Sequence, residues 1–195
     1  MDERRILLVR HPETEANVNG RFVGRGDVPY TVRGERQALL AVDAIADFEP
    51  DEVWSSPLRR AHYVARNAAT RLGVAHTIDE RLSELDFGEA EGLTYEETQQ
   101  RGIAFEFGAE DVPVAPGGES RRDILIRSGA GVDAASERAR RVAIVTHGGV
   151  FRSAMVHLLQ LPIDAIWSFD IRNAQCAEFR IVDGHAMLER FWQVG

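Results

Sequence analysis

Two short apolar runs, each followed by a histidine, constrain the fold of this chain more than any other feature. The first run, residues 5–9, leads into Arg10 and His11, and the second, residues 142–146, leads into His147. Runs of this length and composition are typical of strands that are buried on both faces of a parallel sheet. Open sheets of this kind hold ligands just beyond the carboxyl ends of their strands. The two runs therefore predict one positively charged pocket, assembled from distant parts of the chain.

Strands and helices alternate along the rest of the sequence. Further strands are predicted at residues 53–54, 174–182 and 187–191. Apolar residues at helical spacing predict helices over residues 37–48, 57–72, 119–140 and 150–161, the third of them broken or frayed at residues 128–131. The Asp183-Gly184 pair predicts a hairpin between the last two strands.

This alternation predicts an α/β protein. We expect residues 1–195 to form a single domain, a three-layer α/β/α sandwich with a mostly parallel sheet and an antiparallel edge strand. Residues 86–118 are rich in glycine and acidic residues, and we expect them to form loop and short helix over the pocket.

The composition excludes several kinds of chemistry. All 23 basic residues are arginines, so the chain has no lysine for a Schiff base, for pyridoxal phosphate or for a Walker A loop. Arginine offers instead a rigid, permanently charged fork that suits phosphate or carboxylate groups. The net charge of −8 argues against a nucleic-acid partner.

The chain also lacks the sequence features of membrane insertion and export. No apolar stretch approaches the length of a membrane span, and no apolar signal segment follows Met1. We therefore expect a cytoplasmic protein with no membrane partner. The sequence leaves the oligomeric state open, a homodimer included.

Five sequence blocks, taken together, resemble the histidine phosphatase (phosphoglycerate mutase-like) superfamily. In chain order they are Arg10-His11-Pro12-Glu13-Thr14 with Asn17 and Arg21, residues 55–61, residues 82–88, Gly117-Gly118-Glu119-Ser120, and Thr146-His147-Gly148-Gly149. An Arg-His pair alone is a weak signal, whereas five blocks in family order cover essentially the whole chain.

The resemblance implies a role for each of these positions. His11 is expected to be the nucleophile that carries the phosphoryl group, and Glu84 the general acid and base. The expected phosphate-binding residues are Arg10, Asn17, Arg21, Arg60, His147 and Gly148. Of these, Arg10, Arg60 and His147 are also expected to be catalytic, whereas Arg59 is expected at the surface. The resemblance implies a small phosphorylated metabolite as the substrate, with no cofactor and no metal.

Departures from the family pattern keep two alternatives open. A phosphoglycerate mutase would have a lysine shortly after Gly92-Leu93, a hydroxyl residue in place of Val23 and a longer insertion, so a phosphatase is favoured. Pro12 replaces the usual glycine and removes one backbone N–H beside the nucleophile. This substitution is the reason to consider a phospho-ligand binding protein with weak or no activity. The physiological substrate is not determined by the sequence.

Overall fold

A mixed six-stranded sheet forms the centre of the computed structural model, which describes residues 3–106 and 108–195. The strands are β1 (Glu3–Arg10), β2 (Glu52–Ser55), β3 (Ala75–Ile78), β4 (Arg141–Thr146), β5 (Gln175–Val182) and β6 (His185–Gln193). Their order across the sheet is β3-β2-β4-β1-β5-β6. The first four strands in this order are parallel, β5 is antiparallel to β1, and the edge strand β6 is antiparallel to β5.

Helices connect these strands. They are α1 (Glu15–Val18), α2 (Val32–Phe48), α3 (Arg59–Leu72), α4 (Tyr95–Gln100), α5 (Arg121–Arg138) and α6 (Gly148–Leu158), with short 3-10 helices at Glu80–Leu82, Gly88–Ala90 and Ile163–Ser168. Ser120 caps α5 in a reciprocal capping box with Asp123.

The two faces of the sheet are covered by different helices, because successive side chains of a strand point to opposite sides. On β1, Leu7 and Val9 pack with α2 and α3, whereas Ile6 and Leu8 pack with α5 and α6. All four of these side chains are fully buried. The predicted three-layer α/β/α arrangement is therefore confirmed, with β1 and β4 at its centre.

The predicted break in α5 is wrong. The helix is continuous through residues 128–131, because its glycines make room for close packing. A Cβ at Gly129 would lie 2.8 Å from Nδ1 of His157, and one at Gly131 would lie 3.1 Å from Cδ2 of Leu82. These glycines therefore bring α5 close to its neighbours.

Several boundaries also differ from the predictions. Strand β3 was not predicted, α2 starts at Val32 after the Thr31 cap, and α3 starts two residues after Pro57. The hairpin between β5 and β6 is confirmed, with Asp183 and Gly184 both at positive φ. Residues 86–118, apart from residue 107, form short helices and loops, as predicted. None of the helices in the described residues has the length and apolarity that crossing a membrane requires.

Candidate active site

The carboxyl ends of β1 and β4 bring the two predicted histidines together. Arg10 pairs with Thr146 in the parallel register, and the backbone N–H of His11 donates to the Thr146 carbonyl at 2.8 Å. The rings of His11 and His147 lie with their centroids 5.2 Å apart, and both residues are at least 97 % buried. The pocket predicted from the two apolar runs is therefore present at this edge of the sheet.

The ring of His11 is held in one tautomer. Its Nδ1 lies 2.7 Å from the carbonyl oxygen of Pro12, and because a carbonyl can only accept, Nδ1 carries the proton. Nε2 then keeps its lone pair and has no hydrogen bond within the described residues. Burial, and next the charge of Arg10, hold the pKa of His11 well below its usual value of 6.5. The imidazole is therefore neutral and nucleophilic near neutral pH.

His147 lies immediately before α6, with its Nε2 2.7 Å from the Oγ of Ser56. Its Nδ1 is buried and has no hydrogen-bond partner among the described residues. Burial, and next the charge of Arg60, hold the pKa of His147 well below 6.5. A buried nitrogen without a partner is costly; the Ser56 hydroxyl can donate to Nε2, which leaves the proton on Nδ1 to be donated to an oxygen of an anion.

A partly buried arginine, Arg10, and a buried one, Arg60, flank the histidines. Arg10 donates from Nη1 to the Ile171 carbonyl at 2.6 Å, whereas its buried Nε has no partner among the described residues. Burial lowers the pKa of Arg10 to about 10, and Glu84 opposes this shift. Arg60, at the start of α3, is buried, as the family register implies, whereas Arg59 is exposed.

The guanidinium of Arg60 also organises the loop opposite the histidines. It donates to the carbonyls of Gly26 at 2.8 Å, Gly24 at 2.8 Å and Val23 at 3.2 Å. These bonds use three of its five N–H groups, and the others have no hydrogen bond within the described residues. Arg60 can therefore hold this loop and an anion at the same time.

Asn17 is oriented by its neighbours. Its Oδ1 accepts from the backbone N–H of Thr14 at 3.1 Å, from the Thr14 hydroxyl at 2.9 Å and from Nδ2 of Asn173 at 2.9 Å. Its Nδ2 is consequently left as a donor on the cavity wall. Asn173 was not predicted, and only its place before β5 brings it next to α1.

Glu84 is anchored to the start of α6. Its Oε1 accepts from the backbone N–H of Gly149 at 2.9 Å and from that of Leu85 at 2.9 Å. A Cβ at Gly149 would lie 2.4 Å from this oxygen, whereas a Cβ at Gly148 would lie 3.3 Å from Cζ of Arg10. The close approach of the carboxylate therefore requires glycine at 149 more strictly than at 148.

Arg127 of α5 binds the backbone of the segment that carries Glu84. Nη1 of Arg127 donates to the carbonyls of Arg81 at 2.9 Å and Ser83 at 2.6 Å, and Nη2 donates to that of Glu84 at 2.9 Å. Nε and Nη2 also bind the Glu119 carboxylate at 2.6 and 2.7 Å. All five N–H groups of this guanidinium are therefore used.

Arg21 lies at the rim of the cavity and is engaged elsewhere. It donates to the Gly92 carbonyl at 2.7 Å and to both oxygens of Glu97, at 2.7 and 3.3 Å. The Arg21 side chain is 41 % exposed. The structure therefore leaves Arg21 a weaker candidate for phosphate binding than Arg10 or Arg60.

Pro12 does not interrupt an array of backbone donors. The N–H of Glu13 already donates to Oε1 of Gln37 at 2.9 Å, and that of Thr14 to Asn17. Because the two amides that follow Pro12 already have acceptors, an anion bound at this loop would be held by side chains rather than by backbone N–H groups. The Pro12 carbonyl also fixes the tautomer of His11.

The cavity around these residues has a volume of about 320 Å³. Besides His11 and the predicted polar residues Arg10, Asn17, Arg60 and Glu84, it is lined by two arginines that the sequence did not identify, Arg121 and Arg152, and by apolar side chains. These apolar residues are Phe22, Val23, Val28, Leu85, Phe87, Val114, Ile124, Ile166 and Trp167. Within residues 3–106 and 108–195, no three His, Cys, Asp or Glu side chains are grouped to bind a metal ion.

Comparison with known proteins extends this picture. Residues 6–193 match the histidine phosphatase superfamily (branch 1). The glucosyl-3-phosphoglycerate phosphatase of Mycobacterium tuberculosis strain H37Rv is 33 % identical over 175 residues, which cover 84 % of this chain and 78 % of that protein.

Solved structures agree with the sequence match. The structure of a mycobacterial glucosyl-3-phosphoglycerate phosphatase complexed with VO3 superposes with a TM-score of 0.83 at 29 % identity, covering 98 % of this chain and 100 % of that one. The alpha-ribazole phosphatase of Shigella flexneri superposes with a TM-score of 0.85 at 27 % identity, covering 96 % and 95 %. On the strength of its sequence and its fold, the chain belongs to branch 1 of the histidine phosphatase superfamily.

Proposed function

We propose that this protein is a phosphatase that hydrolyses a phosphomonoester through a phosphohistidine on His11, without a metal ion. The observation that carries the proposal is the state of His11: a neutral ring with its proton fixed on Nδ1 and a lone pair at Nε2. The names of similar proteins, which include phosphatases of different phosphomonoesters, support hydrolysis as the reaction. The substrate is a small phosphorylated metabolite.

In the first step, Nε2 of His11 attacks phosphorus and forms the N–P bond as the P–O bond to the leaving group breaks. Glu84 gives its proton to the departing oxygen. Arg10, Arg60, Asn17 and His147 bind the phosphoryl oxygens and stabilise the charge that spreads over them. The unpartnered Nε of Arg10 and Nδ1 of His147 support this role, because a phosphoryl group would satisfy both.

In the second step, water attacks the phosphorus of the phosphohistidine. Glu84, now a carboxylate, takes a proton from this water, and the N–P bond breaks to release inorganic phosphate and the neutral ring. The enzyme returns to its starting state, with one ester bond hydrolysed and one water consumed.

The test is hydrolysis of p-nitrophenyl phosphate in the presence of EDTA. We expect turnover by the wild type, loss of turnover in His11→Ala, and an acid-labile phosphoryl label on the wild type alone after rapid quenching. His185→Ala, a histidine change in the exposed hairpin, is the matched control and should keep full activity. Turnover by His11→Ala at the wild-type rate would reject the proposal.

The same preparation distinguishes the alternatives. Interconversion of 2- and 3-phosphoglycerate would indicate a mutase, and phosphate binding without any turnover would indicate a binding protein. The homodimer, the absence of nucleic-acid and membrane partners and the cytoplasmic location stay predictions.

A further inference from the structure

Glu91 is a half-buried acidic residue that the proposed chemistry does not use. It directly follows a short 3-10 helix, and the chain after it runs beside the loop that Arg60 binds. The Gly92 N–H donates to the Phe22 carbonyl at 2.7 Å, and the Phe22 N–H donates to the Leu93 carbonyl at 2.9 Å. This pairing places the Glu91 carboxylate next to that loop.

The carboxylate binds the loop, residues 23–26, through two backbone N–H groups. Its Oε2 accepts from the N–H of Gly24 at 2.9 Å, and its Oε1 accepts from that of Gly26 at 3.0 Å. A Cβ at Gly24 would lie 3.2 Å from Oε2, and one at Gly26 would lie 3.0 Å from Oε1. The two glycines therefore let the carboxylate come close enough to hold both amides.

Arg60 binds the same loop through its carbonyl groups. Its three hydrogen bonds go to the oxygens of Val23, Gly24 and Gly26. The peptide group that joins Val23 to Gly24 is bound at both ends, because its oxygen accepts from Arg60 and its N–H donates to the carboxylate. Hydrogen bonds in series polarise one another, so the bond at one end of this peptide group strengthens the bond at the other.

The direction of the Arg60 guanidinium depends on these contacts. Arg60 is buried and lines the cavity, and the N–H groups that it does not use on the loop remain for an anion. Burial lowers its pKa, and the negative charges of Glu84 and Glu91 oppose this shift. Because a guanidinium is planar and rigid, the loop that accepts from three of its N–H groups also sets the direction of the others.

We propose that Glu91 is a positioning residue of the phosphoryl site, which acts through the loop of residues 23–26 on the direction of Arg60. The proposal rests on the proposed phosphatase function and gives Glu91 no contact with the substrate. Two effects of Glu91 on phosphate binding have opposite signs. Its negative charge alone repels an anion and weakens binding, whereas its hold on the loop orients Arg60 and strengthens binding. Removing the charge therefore distinguishes the two effects.

The test measures the dissociation constant of inorganic phosphate by titration calorimetry on the full chain. Glutamine has one side-chain acceptor atom, so in Glu91→Gln one loop N–H loses its partner, and we expect phosphate to bind about fivefold to tenfold more weakly. Arg60→Met removes a charged partner of the phosphate and should weaken binding by at least about tenfold. The double variant should bind phosphate within about twofold of Arg60→Met, because Glu91 acts only through Arg60.

Two further variants separate position from charge and from folding. Glu89→Gln removes the same charge from an exposed residue of the preceding 3-10 helix and should keep the phosphate affinity within about twofold of the wild type. Glu91→Asp keeps the charge but shortens the side chain by one methylene, so it should also weaken phosphate binding. If Glu91→Gln fails to fold, Glu91→Asp carries the test, alone and combined with Arg60→Met.

Two results would overturn the proposal. One is phosphate binding that is unchanged or tighter in Glu91→Gln, and the other is an equal loss with and without Arg60, which would show that Glu91 acts by another route. Turnover of p-nitrophenyl phosphate by the wild type tests the proposed hydrolysis separately. A loss of phosphate affinity that depends on Arg60, without turnover, would retain the role of Glu91 and reject the phosphatase. Turnover with independent effects of the two residues would do the reverse.

Discussion

Replacing Arg127 with methionine should loosen the segment that carries Glu84. The substitution keeps much of the apolar stem and removes five N–H donors, three to backbone carbonyls and two to the Glu119 carboxylate. Glu119 is affected directly: burial would raise its pKa, but the hydrogen bonds from Arg127, the hydrogen bond from the Asp86 backbone N–H and the charges of Arg127 and Arg25 together outweigh this and hold the pKa below its usual value.

The size of the effect follows from these contacts. A hydrogen bond to a neutral acceptor contributes about 1 kcal/mol, and one to a charged group contributes more. The Arg127 side chain is 19 % exposed, so water can replace part of what is lost, and we expect a net loss of about 3 kcal/mol in the free energy of unfolding. For a chain of this length, such a loss lowers the melting temperature by roughly 6–12 °C.

Activity should respond differently with different leaving groups. If Glu84 moves by about 1 Å, kcat/KM for an alkyl phosphate should fall by roughly tenfold to a hundredfold. The value for p-nitrophenyl phosphate should fall by less than about threefold, because its leaving group needs little protonation. The assay is thermal unfolding followed by steady-state kinetics on both substrates below the melting temperature.

Two comparisons make the Arg127 result decisive. Arg122→Met, on the same helix but exposed, should leave both stability and kinetics within about 0.5 kcal/mol of the wild type. Arg127→Lys keeps the charge but not the five donors and should fall between the two. An unchanged melting temperature, or equal losses on both substrates, would refute the argument that Arg127 positions Glu84.

Other substitutions and conditions test the remaining parts of the site. Glu84→Gln should slow alkyl phosphates far more than p-nitrophenyl phosphate, and equal slowing would contradict its role as the acid. Gly149→Ala should lower kcat with a similar selectivity, because its Cβ would occupy a position 2.4 Å from Oε1 of Glu84; kinetics matching the wild type would show that the carboxylate needs no such contact. His11 and His147 stay neutral in the folded chain but take up protons below pH 6.5 when it unfolds. The free energy of unfolding should therefore decrease as the pH is lowered from about 7.5 to about 5.5, by up to about 1.4 kcal/mol for each histidine. Thermal unfolding across this range should show a weaker pH dependence in His147→Gln, and an identical dependence would exclude the contribution of His147.

The central strands and the residues at their ends were predictable from local sequence. Residues 5–9 and 142–146 are fully apolar or nearly so, and each ends in a polar loop, which predicts both the parallel pairing and the meeting of His11 with His147. Arg60 could be chosen over Arg59 only because the family register was available. Helical periodicity shows that two adjacent arginines point in different directions, but it does not show which of them faces the pocket.

Other parts of the structure depend on packing that local sequence does not encode. Strand β3 is short and half-exposed, with His76 and Thr77 in place of an apolar run, so it has no strand signal of its own. The Gly129 and Gly131 pair predicts a break because local propensity disfavours glycine in helices, but close contacts to His157 and Leu82 outweigh that preference. Arg121 could not be identified from the sequence for a related reason: only the packing of α5 against the cavity distinguishes it from the exposed Arg122.

The pairing of β1 with β4 has a consequence for how the protein is made. It joins residues 5–10 to residues 141–146, and the carbonyl of His11 also accepts from the N–H of Ala174. A chain emerging from the ribosome cannot complete the anion site until nearly all of it has been synthesised. Phosphate present at about a hundred times its dissociation constant would then favour the finished fold by about 2.7 kcal/mol and stabilise no earlier intermediate. Anion binding is consequently a direct readout of complete folding, usable during translation or refolding without any measurement of turnover.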